Sequence, residues 1–433
     1  MKILHTADIH IGTDTFGRLD PATGLSTRLM DFQRAFEFTV QTAIDEDVDL
    51  FLFAGDAYRT ADPTPTQQRV FAECLRPLVA AGIPVAMVVG NHDHPVSFGK
   101  ASALDIFGYL AGVVHVFNRP SRAPEIIETK SGPLQIIAMP WPVRSVLLSK
   151  EEHRGKSPLE IRELIETRYA EIVRSVAELC DPALPTILAG HFSVLGAELG
   201  GSERTSLIAH EPKFLASQLA VPPVDYVALG HIHRHQNLNA GGVPVVYASS
   251  IERVSFKEID DDKGFVVVEL DAARAPGHRF VPPVHPHPVT GVDFRATPAR
   301  RFVSVSVDAR ASADPTGMIL DAIARKDVTD AVARVRYVVD EAQAPLVDAR
   351  RIREALKPAY AVAAIERTVE AVERQRRTVV TREASLRDAL ERYVAQRDDL
   401  GAIRERLIDA GLALEAELDG ETRETEVGAG DPA

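Results

Sequence analysis

The sequence predicts an α/β protein in which β-sheets are layered and helices cover their outer faces. Residues 1–270 alternate short apolar runs with helical patterns. Strands that are apolar on both faces and separated by helices are typical of sheets buried in such layers. The later runs follow one another without intervening helices, which indicates that part of the sheet is antiparallel.

The composition is that of an ordinary globular protein. The chain has 433 residues, which suits two or three domains, and is 45% hydrophobic and 26% charged. No apolar run approaches the roughly 18 residues needed to span a membrane, and "MKILHTADIH" enters a strand pattern without a leader, so a cytoplasmic protein is expected. Cys74 and Cys180 lie far apart, which favours reduced thiols over a disulfide. The net charge of −13 argues against a protein that coats nucleic acid by bulk charge, but it allows a local basic groove.

The first domain, 1–280, is predicted from its apolar runs. Helical patterns lie at 28–46 and 66–81. The predicted strands are "KILHTAD", "DLFLFAGD", "IPVAMVVG", "VVHVF", "LQIIAMP", "TILAGH", "DYVALGH", "VPVVYASS" and "GFVVVEL".

The remainder of the chain divides into three further segments. Residues 274–300 are rich in proline and indicate a linker. Clean alternation in "RFVSVSVD" and "ARVRYVV" around a helix signal predicts a small β-α-β domain over 296–345. From 346 to 418 the pattern is helical, with apolar stripes that include Val362, Ile365 and Val369. Residues 419–433 are polar and predicted to be disordered.

Polar side chains collect where five of the predicted strands end. In α/β sheets the carboxyl ends of strands open the binding crevice. In four of the five cases a glycine precedes the first polar residue, which lets the backbone turn tightly and approach a ligand. The residues at these ends are Asp8, His10, Asp56, Asn91, His92, Asp93, His191, His231 and His233.

This set is suited to a pair of metal ions. Asp8 and His10 are two residues apart, as are His231 and His233, so an extended backbone would point each pair to one side. Asp56 could bridge two ions with its two oxygens. Oxygen and imidazole ligands without sulfur suit Mn²⁺, Fe²⁺ or Zn²⁺ better than a structural zinc site. Two such ions would form a clamp for in-line displacement at phosphorus.

The ordered series "DIH", "GD", "GNHD", "GH" and "GHIH" resembles the calcineurin-like metallophosphoesterase superfamily. Within it, "HTADIHIG", "GDAYRTADPTPTQQ", "GNHDHP", "GHFSVLGAELGGSE" and "VDYVALGHIHRHQ" resemble the SbcD family, nuclease subunits of a double-strand-break repair complex. The resemblance covers about 1–420, and the order of parts also matches: phosphoesterase domain, capping domain and helical partner-docking region.

The resemblance implies a role for each residue at the strand ends. Asp8, His10 and His233 would hold one ion, Asn91, His191 and His231 the other, and Asp56 would bridge them, with Mn²⁺ the expected ion. His92 would be the catalytic acid that donates a proton to the departing oxygen or stabilises the phosphorane. Asp93 would orient His92 or brace the turn, of which bracing is favoured. His5, His94 and His235 are expected to be surface turn residues.

Four basic residues on loops near the motifs are candidates for sequence-independent contacts to DNA phosphates: Arg18, Arg59, Lys100 and Arg204. Arg59 stands where several relatives have a histidine that helps to manage the DNA strand. Arginine cannot relay a proton at neutral pH. Arg59 therefore puts in doubt any mechanism that needs a second catalytic histidine at this position.

The resemblance further implies 3′-to-5′ exonuclease activity on duplex ends and endonuclease activity on single strands or hairpins. It implies an SbcC-type ATPase with a coiled coil as partner, a homodimer within a heterotetramer, and a cytoplasmic, nucleoid-associated protein. The helices after 346 would dock the partner; alternatively they pack on this chain or form their own bundle. The alternative functions are phosphoprotein phosphatase, cyclic-nucleotide phosphodiesterase, and a scaffold without catalysis.

Overall fold

A computed structural model describes residues 1–94, 100–109, 112–200, 211–239, 241–271, 289–370, 385–395, 400 and 403–427. Backbone contacts divide the chain into two units. The first comprises Met1–Val307, Thr316–Tyr337 and Asp348–Glu366, and the second comprises Asp308–Pro315, Val338–Val347 and Arg367–Ala433.

All nine strands predicted from the apolar runs are present. Among the described residues, the first domain has five further strands that lie between or directly after these nine, and three more strands follow it. The strands are β1 (Lys2–Thr6), β2 (Leu50–Phe53), β3 (Val85–Val88), β4 (Val114–Phe117), β5 (Glu125–Thr129), β6 (Gly132–Met139), β7 (Thr186–His191), β8 (Ser193–Val194), β9 (Lys213–Phe214), β10 (Tyr226–Gly230), β11 (Gln236–Asn237), β12 (Val245–Tyr247), β13 (Gly264–Leu270), β14 (Val289–Ala296), β15 (Phe302–Asp308), β16 (Val332–Asp340) and β17 (Ala361–Glu370).

The two helices predicted at 28–46 and 66–81 are confirmed as α1 and α2. Helix α2 begins with a capping box, in which Thr64 accepts from the Gln67 amide and the Gln67 side chain accepts from Thr64. The helices are α1 (Thr27–Asp45), α2 (Pro65–Ala80), α3 (Arg144–Leu147), α4 (Lys150–His153), α5 (Pro158–Ala177), α6 (Ala216–Leu219), α7 (Pro315–Ala324), α8 (Ala349–Ala355), α9 (Leu386–Ala395) and α10 (Arg404–Val427), with 3₁₀ turns at Asp105–Tyr109, Phe256–Glu258 and Ala344–Leu346. None of the helices in the described part of the chain is long and apolar enough to cross a membrane.

Two six-stranded sheets form the first domain. Their orders are β14-β13-β1-β2-β3-β4 and β11-β12-β10-β7-β6-β5. In the first sheet β1 to β4 are parallel, and β13 pairs antiparallel with β1 and β14. In the second, β6, β7, β10 and β12 are parallel, and the edge strands β5 and β11 are antiparallel. The expectation of a mixed sheet is therefore confirmed.

The two sheets pack face to face, and helices cover their outer faces. Leu52, Ala86, Ile136 and Ala189 belong to one fully buried cluster between the sheets. Helices α1 and α2 pack on the first sheet through a second cluster, and α5 packs on the second sheet through a third. This layering brings the carboxyl ends of the parallel strands of both sheets to one edge.

His5 is an exception to its expected place on the surface. It lies in β1, is fully buried, and its Nδ1 is 3.0 Å from the hydroxyl of Tyr226. Burial lowers the pKa of His5 to about 3, so the ring is neutral at physiological pH. The surface expectation was wrong because the strand pattern of "KILHT" is buried between two sheets, where a neutral imidazole with a hydroxyl partner is tolerated.

The segment after the first domain differs from the prediction in two places. Strand β14 lies inside the predicted linker 274–300 and pairs with β13 of the first sheet. The predicted β-α-β unit is present as β15, α7 and β16, but β17 completes a three-stranded sheet of order β15-β16-β17. Val362, Ile365 and Val369 are therefore strand residues, and the helix predicted for them was wrong. Alanines and glutamates within "AVAAIERTVE" favour a helix locally, whereas pairing with β16 decides the structure.

The described part of the C-terminal segment contains two helices. Leu390 of α9 lies against Gly411 of α10, and Val394 and Ile408 are buried. Helix α10 extends to Val427, into the segment 419–433 for which disorder was predicted. Good helix formers in this polar stretch are Glu421, Arg423, Glu424 and Glu426. Residues 428–433 lie outside the described residues.

Candidate metal centre

The residues predicted at the five strand ends converge on one site at the shared edge of the two sheets. His191 is the last residue of β7, and the others lie within five residues after the ends of β1, β2, β3 and β10. Their backbones are not extended as the spacing argument assumed. Asp8, His10, Asp56 and His231 have φ values of 53°, 51°, 61° and 93°, a region that side-chain-bearing residues rarely adopt. Such strain persists where the surrounding structure imposes it, and it concentrates at functional sites.

The first half of the site joins β1 to β10. The Nε2 atoms of His10 and His233 lie 2.9 Å apart. Nε2 of His233 is 3.9 Å from Asp8 Oδ1, and Nε2 of His10 is 3.7 Å from Asp56 Oδ2. All four side chains are buried. Two imidazole nitrogens and two carboxylates thus face one small volume, a geometry that suits a divalent cation.

The second half of the site joins β3, β7 and β10. Nε2 of His191 is 3.0 Å from Asn91 Oδ1 and 3.3 Å from Asp56 Oδ2. Nδ1 of His231 is 3.1 Å from the same Asn91 oxygen. Asp56 therefore borders both halves of the site, which is the position that a bridging ligand would need.

The hydrogen-bond partners of the rings show which ring nitrogens would face the site as acceptors when both rings are neutral. Nδ1 of His191 donates to the carbonyl of Ala54 at 2.7 Å, and Nε2 of His231 donates to Glu211 at 2.9 Å. In the neutral rings the remaining nitrogens are acceptors, and they face acceptor oxygens. Only a cation or an added proton can stabilise four acceptors that face each other. The residues therefore fit a divalent metal ion.

The charge balance of the site supports the same conclusion. Burial disfavours charge on both His191 and Asp56, but each stabilises the other. Despite its burial, the pKa of His191 is raised to about 9 by Asp56. The pKa of Asp56 is held well below its usual value by the imidazoles around it, against the effect of burial. Burial raises the pKa of Asp8 and lowers that of His10. Without a metal the site attracts a proton to His191, and a metal ion would replace it.

Three orienting groups around the ligands were not predicted from the sequence. Glu258 accepts from His233 Nδ1 at 2.8 Å and pairs with the buried Lys263 at 3.1 Å. Glu211 accepts a hydrogen bond from the His231 ring, and the Trp141 ring lies against that same His231 ring with a centroid distance of 5.2 Å. None of the three belongs to the motifs at the five strand ends, so only the fold brings them to the site. Partners of this kind fix the tautomer and direction of a metal-ligating histidine.

His92 borders the first half of the site, where its ring, His10 and Asp56 come close enough to face one ion. Its Nδ1 donates to the carbonyl of Arg59 at 2.8 Å, and its backbone amide donates to Asp56 Oδ1 at 2.8 Å. Its ring lies edge-on to His10, with centroids 4.9 Å apart. Because Nδ1 carries the hydrogen-bonded proton, Nε2 is left to exchange a proton with a bound molecule. Arg59 thus positions His92 through its backbone, a role that its side-chain identity does not reveal.

Asp93 braces the turn. Its fully buried carboxylate accepts from the backbone amides of Gly90, Asp56, Ala57 and Tyr58, at 2.8–3.2 Å. These bonds tie the end of β3 to the end of β2. Of the two roles considered for Asp93, this geometry favours bracing over orienting His92.

Three of the four basic candidates for DNA contact lie among the described residues. Arg59 and Lys100 are exposed. Arg18 is also exposed, and its guanidinium lies 5.1 Å from the ring centroid of Tyr360. Arg204 lies outside the described residues.

Comparison with known proteins agrees with this geometry. The family model of calcineurin-like phosphoesterases matches residues 1–235. The chain belongs to the calcineurin-like phosphoesterase family. The matched range contains all five strand ends and both acceptor clusters, so the residues that fit divalent metal ions lie within the family domain.

Three curated relatives of this phosphoesterase are SbcD chains of the nuclease SbcCD. The Escherichia coli K12 protein is 27% identical over 61% of this chain and 63% of its own length. The Bacillus subtilis protein is 29% identical over 62% of this chain and 66% of its own length. The Rhodobacter capsulatus protein is 28% identical over 72% of this chain and 77% of its own length. The chain therefore matches less than two thirds of the length of the first two relatives.

Glu258→Gln should weaken metal binding because the neutral amide holds His233 less firmly and leaves Lys263 without its ion pair. The expected loss of affinity is about 10- to 100-fold. It can be measured by titrating Mn²⁺ into the metal-free protein calorimetrically. Glu198→Gln, a carboxylate on the surface that pairs with Arg234, is the matched control and should leave the affinity unchanged. Equal affinities for Glu258→Gln and the wild type, with both folded, would refute the orienting role.

Proposed function

We propose that this phosphoesterase is a DNA nuclease subunit that hydrolyses phosphodiester bonds. The expected activities are 3′-to-5′ exonuclease action on duplex ends and endonuclease action on single strands or hairpins. The observation that carries the proposal is the pair of acceptor clusters joined by Asp56, with His92 presented beside them. The similarity to the SbcD chains of the nuclease SbcCD supports DNA as the substrate.

The two clusters would hold two divalent ions. Asp8, His10 and His233 would ligate one, Asn91, His191 and His231 the other, and Asp56 both. When bound, such a pair supplies Lewis-acid activation of the nucleophile and neutralises the charge that develops on the phosphoryl oxygens. We propose Mn²⁺ as the ion, since nitrogen and oxygen ligands without thiolate suit it.

The protein's own contribution to the reaction is positioning and proton transfer. The hydrogen bond to the Arg59 carbonyl fixes the His92 ring, so its Nε2 points toward the reacting group with a defined tautomer. In its protonated form His92 would donate from Nε2 to the departing 3′ oxygen as the phosphorus–oxygen bond breaks. Asp93 keeps the turn rigid, so the position of the His92 ring beside the metal centre is maintained during the reaction.

Sequence-independent contacts would hold the strand near the centre. The exposed side chains of Arg59, Arg18 and Lys100 are the described candidates, with Arg204 as a further one. For a protein of net charge −13 these contacts would be weak and strongly salt-dependent. The same centre could serve a phosphoprotein phosphatase or a cyclic-nucleotide phosphodiesterase, and the relatives' names do not favour either.

His92→Ala should abolish DNA cleavage while leaving metal binding intact. The substitution removes the proton donor but none of the seven ligands, so a loss of about 10²- to 10⁴-fold in rate is expected. A 3′-labelled linear duplex and a labelled hairpin are incubated with Mn²⁺, with and without EDTA, and Mn²⁺ affinity is measured in parallel. His115→Ala, a histidine on β4, is the control for loss of an imidazole and should cleave normally.

The outcomes separate the parts of the proposal. Cleavage that EDTA stops and that the His92 variant lacks supports the nuclease and the role of His92. A His92 variant that cuts at the wild-type rate refutes that role. Hydrolysis of a small chromogenic phosphodiester without any cleavage of DNA by the wild type refutes the DNA substrate for the isolated chain.

A second proposal concerns the C-terminal helices, for which we propose docking to an SbcC-type ATPase with a coiled coil. Helices α9 and α10 pack on each other, yet Tyr393, Ile403 and Leu414 stay 40–59% exposed. Exposed apolar side chains on and beside two packed helices suit another helix as partner. We also propose a homodimer within a heterotetramer, which the exposed apolar side chains of Ile106 and Tyr109 beside α2 support. The proposed location is cytoplasmic and nucleoid-associated.

Deleting 385–433 should abolish co-purification with the SbcC-type partner while leaving Mn²⁺ binding unchanged. The cut removes α9 and α10 but keeps β17, which the three-stranded sheet needs. Tyr393→Ser/Leu414→Ser is a milder variant that should weaken the complex without altering helix content by circular dichroism. Retention of the partner by the truncated chain would contradict the proposal.

A further inference from the structure

A cavity of about 710 Å³ lies beside the segment that follows Trp141 along the chain. Its walls come from the segment after β4 and from α3 and α5. Three guanidinium groups line it, those of Arg119, Arg122 and Arg168. The volume suits a ligand of the size of a nucleotide, and arginine clusters select for phosphate oxygens.

Two of these arginines carry charge that no neighbouring carboxylate balances. Arg168 pairs with Glu152 at 2.9 Å and with Glu171 at 3.6 Å. Arg119 and Arg122 are exposed, and neither forms an ion pair within the described part of the chain. The positive charge available to a ligand is therefore concentrated on the segment after β4.

The remainder of the cavity is partly apolar. Val146 and Leu147 of α3 and Ile172 and Val176 of α5 contribute to its lining, together with serine hydroxyls. An anion of high charge and no apolar part, such as inorganic phosphate, would leave these side chains uncovered. A nucleotide has both a phosphate for the arginines and a planar base for the aliphatic surface.

One wall of the cavity begins at the edge of the sheets where the metal centre lies. The amide of Ser121 donates to the carbonyl of Ala138 at 2.9 Å, which places the arginine segment at the end of β6. Trp141 follows β6, and its half-buried ring lies 5.2 Å from the His231 ring. Four residues later Ser145 lines the cavity, at most about 14 Å away along the chain.

We propose that a single DNA strand passes from the metal centre across Trp141 into this cavity, where Arg119 and Arg122 bind a phosphate. One base stacks on the indole, since aromatic rings bind bases without regard to sequence. This inference rests on the proposed nuclease function and adds to it a binding path that holds the unpaired strand beyond the metal centre.

The only tryptophan of the chain makes the proposal directly measurable. The full chain in EDTA is titrated with a single-stranded oligodeoxynucleotide of about 12 nucleotides, a length within the usual range of such sites. Stacking should quench the Trp141 fluorescence. Arg119→Gln/Arg122→Gln should weaken binding about 10-fold, because two phosphate contacts are lost. Arg154→Gln/Arg174→Gln removes two exposed arginines outside the cavity and should bind like the wild type.

Affinity for the same oligonucleotide with a terminal dye, measured by anisotropy, tests the indole itself. Trp141→Leu should bind about 10-fold more weakly, whereas Trp141→Phe should largely retain binding, as an aromatic face is kept. Unchanged fluorescence on binding, or wild-type affinity of the arginine variant, would overturn the proposed path. If the wild type cleaves DNA with Mn²⁺ in that case, the nuclease function stands. If the wild type cleaves no DNA, the function on which the path rests has failed.

Discussion

The carboxylate of Asp56 lies where two clusters of nitrogen and oxygen acceptors meet, and the surrounding structure is arranged to keep it there. Its backbone has a left-handed conformation, with φ at 61°. The Asp93 carboxylate accepts from the amides of Asp56 and of the two residues after it, so the turn at the end of β2 cannot relax. A buried anion bordered by imidazoles is stable only when positive charge is supplied, by protons or by metal ions.

This constraint explains the layering of the domain. Five strand ends from two different sheets must reach one site, and only sheets packed face to face bring them to a shared edge. Glycines at the strand ends make the close approach possible. A Cβ on Gly90 would collide with the Asp56 side chain, and one on Gly230 would collide with the carbonyl of Ala54. Catalytic geometry and packing are therefore set by the same residues.

The sequence predicted which residues gather at the strand ends, because metal chemistry demands particular residue types there and these can be recognised without a structure. It could not predict Glu258, Glu211 or Trp141, because their contacts to the histidines depend on long-range packing. His5 was misplaced for the same reason: a histidine within a strand looks alike whether the strand is covered or not. Strand β17 was predicted as helix since its alanines and glutamates are locally ambiguous, and only pairing with β16 decides between the two. The contribution of the Arg59 carbonyl is invisible to any argument from side chains.

The central claim is that Asp56 joins two metal sites into one centre, and electron paramagnetic resonance of the Mn²⁺-loaded protein tests it most directly. Two Mn²⁺ ions bridged by one carboxylate are magnetically coupled, and their spectrum differs from that of isolated ions. The account predicts two ions per chain with a coupled spectrum, which Asp56→Asn converts into weak, uncoupled binding. A single ion per chain, or two ions without coupling in the wild type, would contradict it.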